Sequence, residues 1–373
     1  MPGVHSEVMQ PSRPPPPGAP APAPELPPRR DALAGLLAGC LAGLSALSPL
    51  ACTTAAGDDT GGSTGGASDS ADDSSPTTGE VSYPETLVGT FQVQLVGPVP
   101  ATDTSPASAG KTSVVGKVYD GETPAAVIWE AGTKVGDCQL ATPRVPFCET
   151  PCGGSAVCVE DDTCAPYPTA GSVGTVTATG IKTEGGAAEF AMEPIANNYQ
   201  PPASVTLAYP CFAEGDLATL EAAGADIEGF KLSARGIAPL TLGNGSIPLA
   251  EDTPLTLTWT PAADPARSSI HVKLDISHHG GSKGMIECET ADSGSLELDG
   301  ALITELLDLG VAGFPSIIVT RRAVGSAAIA AGRVDLVLSS KVEHFVDIAG
   351  LTSCSADSDC PDGQTCQDDL TCK

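Results

Sequence analysis

From Val81 onward the chain is written in period two. Phe91, Val93 and Leu95 alternate with Thr90, Gln92 and Gln94, the pattern of a half-buried strand whose successive side chains face opposite ways. Similar runs at 114–119, 126–129, 175–179, 189–192, 205–209 and 230–234 are separated by turn residues such as Asp120-Gly121 and Glu184-Gly185-Gly186. Residues 216–223 read as a short helix. Further on, Leu255, Leu257 and Trp259 alternate with Thr256, Thr258 and Thr260, and Ile270, Val272, Leu274 and Ile276 with His271, Lys273, Asp275 and Ser277. Strand patterns follow around Ile286 and Cys288, at Leu296 and Leu298, and over 317–320, 334–339 and 342–348. One helix, 301–309, interrupts them with Leu302, Ile303, Leu306 and Leu309 on one face.

Many short strands joined by turns predict an all-β protein: one or two antiparallel β-sandwich lobes with small disulfide-rich segments and a disordered N-terminal tether. Trp259, facing a Cys-bearing strand, gives the second lobe an architecture that resembles immunoglobulin-like domains, without the antibody Cys–Trp–Cys spacing. The expected division is a β-rich domain at 81–240 with a Cys-rich insert at 138–164, a β-sandwich at 241–351 and a Cys-rich module at 352–373.

The first 80 residues are different. Residues 1–28 are rich in Pro and Ala, with Pro14 to Pro17 in succession, a composition that gives solvated polyproline rather than a core. Arg29 and Arg30 precede a run from Ala32 to Ala51 without a charged residue, closed by Cys52. This stretch, 29–52, resembles a bacterial lipoprotein signal peptide, which implies cleavage before Cys52 and its lipidation. Leu36-Leu37-Ala38-Gly39-Cys40 fits the cleavage box more closely, but a cut there leaves Leu41 to Ala51 as an apolar mature end. The same run is long enough to span a bilayer uncleaved, which stays the alternative. Residues 53–80, Gly-, Ser-, Thr- and Asp-rich, form a flexible linker that holds the folded part about 30 Å from the lipid.

Charge narrows the partners. Of 373 residues 46 are acidic and 18 basic, a net charge of −28, and beyond Cys52 the balance is 15 basic against 43 acidic. Such a surface repels nucleic acid, so no nucleic-acid partner is expected.

Eleven cysteines follow Cys52, and in an exported chain they read as disulfides. Cys152, Cys158 and Cys164 repeat as Cys360, Cys366 and Cys372 with five residues in each gap, and Cys148 and Cys354 stand just upstream. Segments so polar require two disulfides each to fold. Four cysteines allow three pairings; longer loops favour Cys354–Cys366 with Cys360–Cys372, the others remaining open. Cys138, Cys211 and Cys288 supply one more pair and one thiol, with Cys288, on an apolar strand face, a candidate for the free one. The paired motifs resemble dickkopf-like or EGF-like cysteine-rich modules. Together with the signal sequence and β-rich body they are similar to surface lipoproteins of myxobacterial type, a resemblance that implies no defined activity.

Candidate chemistry is sparse. Ser277-His278-His279-Gly280 resembles the metal-binding histidine loop of metallo-β-lactamase-fold proteins, yet the H-x-H-x-D-H cluster that family requires is missing. A polar turn accounts for it, with the two imidazoles of a strand end expected to point apart. Asp357, Asp359, Asp362 and Gly363 match only part of a calcium loop. No catalytic residue, metal site or cofactor is expected. The function read from the sequence is a non-enzymatic, extracytoplasmic protein anchored by lipid at a bacterial outer membrane or cell surface. Its role is display or recognition, with a protein or glycan ligand. The alternatives are a carbohydrate-binding module and a metal-dependent hydrolase using His278 and His279. Aromatic residues are only 4% of the chain and Trp259 shares a face with Leu255 and Leu257, so the tryptophans read as core before sugar platform.

Overall fold

The computed structural model describes residues 83–101, 106–281 and 283–373. The expected tether, the signal peptide with Cys40 and Cys52, and the linker therefore lie outside the described residues. The alternating segments become strands. Leu87–Val96 is β1, Lys111–Val118 β2, Ile128–Val135 β3 and Cys138–Arg144 β4. Ala156–Glu160 (β5) and Thr163–Pro166 (β6) form a hairpin, followed by Val176–Thr179 (β7), Glu189–Met192 (β8), Asn198–Tyr199 (β9), Leu217–Ala222 (β10) and Phe230–Arg235 (β11). Pro248–Leu249 (β12), Leu255–Thr258 (β13), Ser269–Asp275 (β14), Met285–Ala291 (β15) and Ser295–Leu298 (β16) lead to the helix α1, Gly300–Asp308. Ser316–Ile329 (β17), Gly332–Phe345 (β18) and Asp347–Ile348 (β19) complete the series. The protein is all-β, as its alternation predicts.

Nine strands make one sheet in the order β3-β4-β15-β14-β17-β18-β1-β2-β9. Neighbours are antiparallel except β1 and β18, which run parallel and bring the first strand beside one of the last. Register puts one apolar side chain beside the next across the sheet: Phe91 pairs with Leu336, Val272 with both Cys288 and Val319, and Leu274 with Ile317. These residues form a continuous inner face, and Phe91, Val272, Leu274, Ile317 and Leu336 are all fully buried. Burial of each such side chain contributes about 1.5–3 kcal/mol.

Two different layers cover that face. The four-stranded sheet β11-β10-β7-β8 packs over one end, joining Leu220 and Leu232 to Phe91, Val93 and Leu95 in a β-sandwich core. Gly325 marks the close approach of the layers, because a Cβ there would run into the Ser233 carbonyl. Over the other end, α1 and the β13–β16 ribbon pack Leu257, Trp259, Leu302 and Leu306 against Val272 and Val319. The helix starts where Asp299 caps it, accepting from Ala301 N at 2.8 Å and Leu302 N at 3.4 Å, and it buries Leu302, Ile303 and Leu306.

Several expectations change. Residues 216–223 form β10, not a helix: Ala218, Leu220 and Ala222 are buried on alternate positions, and pairing with β7 and β11 outweighs local helix preference. Residues 205–209 form no strand, and Leu207 makes only an isolated bridge to Thr183. The runs at 317–320 and 334–339 belong to two 14-residue strands paired as one long hairpin. The boundary expected at 240/241 does not divide the sheet, since the described residues fall in one compact unit and β1 to β4 pair into the same sheet as β14, β15, β17 and β18.

Cys138 is not part of a Cys-rich insert: it lies on β4, bonded to Cys288 on the neighbouring β15. Cys288 is therefore not the free thiol. Direct opposition of the two residues in register brings their Cα atoms to 4.1 Å, a proximity that 150 residues of separation conceal in the sequence. Among the described residues Cys211, buried in the sandwich core, is the cysteine without a bridge. Both small modules pair first with third and second with fourth: Cys148–Cys158 with Cys152–Cys164, and Cys354–Cys366 with Cys360–Cys372. The C-terminal module is tied to the body by hydrogen bonds, Gly313 N donating to Asp369 O (2.7 Å) and Ser353 Oγ to Gly313 O (2.6 Å).

Candidate functional site

The inner face of the large sheet is spent on the core, so any site on it must use the outer face. There the alternate residues of β14, β15 and β17 present His271, Lys273, Glu287, Glu289 and Arg322. These form cross-strand charge pairs: Arg322 donates to Glu289, and His271 Nε2 stands 3.8 Å from Glu287 Oε1. Burial lowers the His271 pKa first, with the Arg322 and Lys273 charges adding to it and Glu287 and Glu289 opposing. The pairs line a groove of about 440 Å³ that continues across β4 to the edge strand β3, where Trp129 borders it. Trp129 is 39% exposed. The expectation that the tryptophans are core residues holds for Trp259 and not for Trp129.

Trp259 has a different task. At 5% exposure it donates from Nε1 to Asp292 Oδ1 at 2.8 Å, under the cover of the sheet. Asp292 also accepts from Ser268 Oγ (2.7 Å) and from Arg321, whose guanidinium reaches the carbonyls of Ala238, Pro239 and Thr260. Burial by itself raises the Asp292 pKa; the bonds from Arg321, Ser268 and Trp259 and the Arg321 charge together bring it below the ordinary value of 3.8. Every group in this knot is satisfied and none is open to a ligand. It is structural. Burial likewise pushes the Cys211 thiol up to about 12, so it is no nucleophile.

His278 and His279 sit in a turn, with Gly280 N donating to Ser277 O (2.8 Å) and His279 at φ 65°. The left-handed residue brings the rings together, centroids 4.0 Å apart, rather than pointing them to opposite faces as an extended strand end would. Neither belongs to the places among the described residues where three ligand-type atoms converge. Those are Cys148/Cys152/Cys164 and Cys354/Cys360/Cys372, all engaged in disulfides. Of the calcium-like residues, Asp359 accepts from Ser355 N and Ala356 N, and Asp357 from Cys366 N; both brace the module's backbone.

No protein-family model matches the chain, and no curated protein matches it. Among solved structures it is similar to the chicken CNTN1 FN1-FN3 domains, at 11% identity over 67% of this chain and 76% of that one, with a TM-score of 0.17. A likeness at that score carries no argument. Among the described residues no helix is long and apolar enough to cross a membrane.

Of the groove residues the sequence pattern marks His271 as the polar side of a strand and places Glu287 beside another, whereas Lys134 and Gln139 fall in no predicted strand and Arg322 lies past the run 317–320. What the sequence does not carry is the strand order, which sets β3 and β4 beside β15 and so brings Trp129 and Gln139 to His271 and Glu287.

Proposed function

We propose that this is a non-enzymatic recognition protein of the bacterial outer membrane or cell surface, anchored by lipid on Cys52 and meeting its ligand with the outer sheet face around Trp129. The observation that carries this reading is the asymmetry of the large sheet. One face is covered by two layers, while the other leaves a tryptophan exposed beside a groove of paired polar side chains. An exposed Trp in a chain this poor in aromatics, at the rim of a groove, is the residue type that dominates binding energetics. The five disulfides fit an oxidising compartment. The signal-like stretch and linker give the tethering that display requires.

The test combines two substitutions. Cys52→Ala should move the chain from the membrane fraction to the soluble fraction. The released chain should then bind the surface of cells lacking their own copy, and Trp129→Ala should abolish that binding. Retention in the membrane after Cys52→Ala contradicts the anchor, and undiminished cell binding by the Trp129 variant contradicts the face.

A further inference from the structure

The groove beside Trp129 has a composition that selects among ligands. An apolar peptide would demand apolar walls, and here every strand crossing the groove contributes a polar side chain, Lys134, Gln139, His271, Glu287, Glu289 or Arg322. An anionic ligand would demand spare positive charge. Arg322 is already held by Glu289, the groove holds Asp137 and Glu287 besides, and the whole chain carries −28. A strongly cationic ligand would have to share the wall with Lys134 and Arg322. What remains is a neutral molecule with many hydroxyls and an apolar face.

We propose that the groove binds a neutral hexopyranose oligosaccharide, one ring stacked on Trp129 and its hydroxyls bridged by the groove's carboxylates and the Gln139 amide. This rests on the reading of the outer face as the recognition surface. The C–H face of a pyranose meets the electron-rich indole face, the same quadrupole attraction that draws cations to aromatic rings. Vicinal hydroxyls are met by side chains that accept or donate two hydrogen bonds: Glu287 and Asp137 as acceptors, Gln139 as both. Glu287 and Gln139 stand on strands held by the sheet, and Asp137, in the turn between β3 and β4, is fixed by accepting from Thr290 Oγ1 at 2.7 Å. The volume, about 440 Å³, is that of an open small-ligand site.

The experiment titrates the full chain, in detergent, with neutral gluco-, manno- and galacto-configured oligosaccharides and with uronic-acid oligosaccharides of the same length. Calorimetry and acrylamide quenching of tryptophan are read together. A neutral oligosaccharide should bind and shield Trp129, while buried Trp259 stays unquenched with or without sugar. Trp129→Ala should weaken binding about tenfold or more, Trp129→Phe far less, and Glu287→Gln should weaken it with the fold intact. Binding of only the acidic series, or neutral binding untouched by Trp129→Ala and Glu287→Gln, overturns the proposal. Absence of all sugar binding also overturns it, yet leaves the broader reading standing if cell-surface binding still depends on Trp129. Loss of that dependence too takes down both.

Discussion

Arg321 Nε lies 2.6 Å from Asp292 Oδ2, and the two side chains are 1% and 0% exposed. Arg321 pairs with Ser340 across the sheet, on the same face as Val319 and Leu338, between the two hydrophobic cores. It therefore stands where the covering layers meet, and its bonds to the Ala238, Pro239 and Thr260 carbonyls hold the chain that passes between them. A charge in that position is stable only because each of its donors has a partner.

Arg321→Met should destabilise the protein by about 3–5 kcal/mol, since it leaves Asp292 buried without its counter-charge. Adding Asp292→Leu should recover part of that loss, because it removes the unpaired buried charge, while Trp259 Nε1 and the Ala238, Pro239 and Thr260 carbonyls stay without their partners. Urea unfolding of both single variants and of the double variant decides it; a double-variant loss equal to the sum of the two single losses would show that the pair is not coupled.

Acid stability follows from the same contact. Asp292 has a folded pKa below 3.8, so its contribution is fully present above that value and is lost as pH falls through the folded pKa. Asp369, held down to about 2 by bonds from Lys373 and Thr371, acts with the same sign in the C-terminal module. Unfolding midpoints should thus be flat near neutrality and drop below about pH 4. Asp292→Asn should lower stability at neutral pH and flatten the acid drop, and a steeper drop in that variant would contradict the assignment.

The two tryptophans should separate cleanly in thermal or urea melts. Trp259→Ala empties a core site and removes one of the donors to Asp292, at a cost of about 3–5 kcal/mol. Trp129→Ala removes an exposed edge-strand side chain and should change stability by less than about 0.5 kcal/mol. Comparable costs for both would move Trp129 into the core and remove the candidate site.

Mild reduction should open the small modules before the body. Cys164 is exposed and Cys148, Cys152, Cys158, Cys360, Cys366 and Cys372 are half-buried. Each module therefore has a bridge, Cys152–Cys164 or Cys360–Cys372, more accessible than Cys138–Cys288, whose cysteines are 2% and 1% exposed; Cys354, at 1%, is buried as well. Hydrogen exchange after reduction should show lost protection over 354–372 with β14, β17 and β18 still protected. Simultaneous loss across the sheet would mean that the modules hold the body together.

Much of this architecture was legible. Alternation in Phe91–Leu95 and Ile270–Ile276 fixes which side of each strand is buried, and the spacing of Leu302, Ile303 and Leu306 marks the helix. The preference for longer loops favours the first–third, second–fourth pairing of the C-terminal cysteines, which is the one the fold contains. Strand order was not legible, because alternation specifies a face and not a neighbour. That is why the parallel β1–β18 pairing, the Cys138–Cys288 bridge and the joining of Trp129 to Glu287 came only with the fold. Arg321 was hidden for a related reason: a charged residue inside a strand pattern reads as outward-facing until its buried partner is known.

The central claim, an exported and tethered recognition protein, is tested most directly by mass spectrometry of the chain trapped in acid from intact cells and alkylated after denaturation. The account predicts an N-terminal peptide beginning at acylated Cys52, five intact disulfides in the pairings above, and alkylation of Cys211 alone. A chain that retains its first 51 residues and alkylates at Cys138, Cys288 and the module cysteines would place it in a reducing compartment and contradict the account.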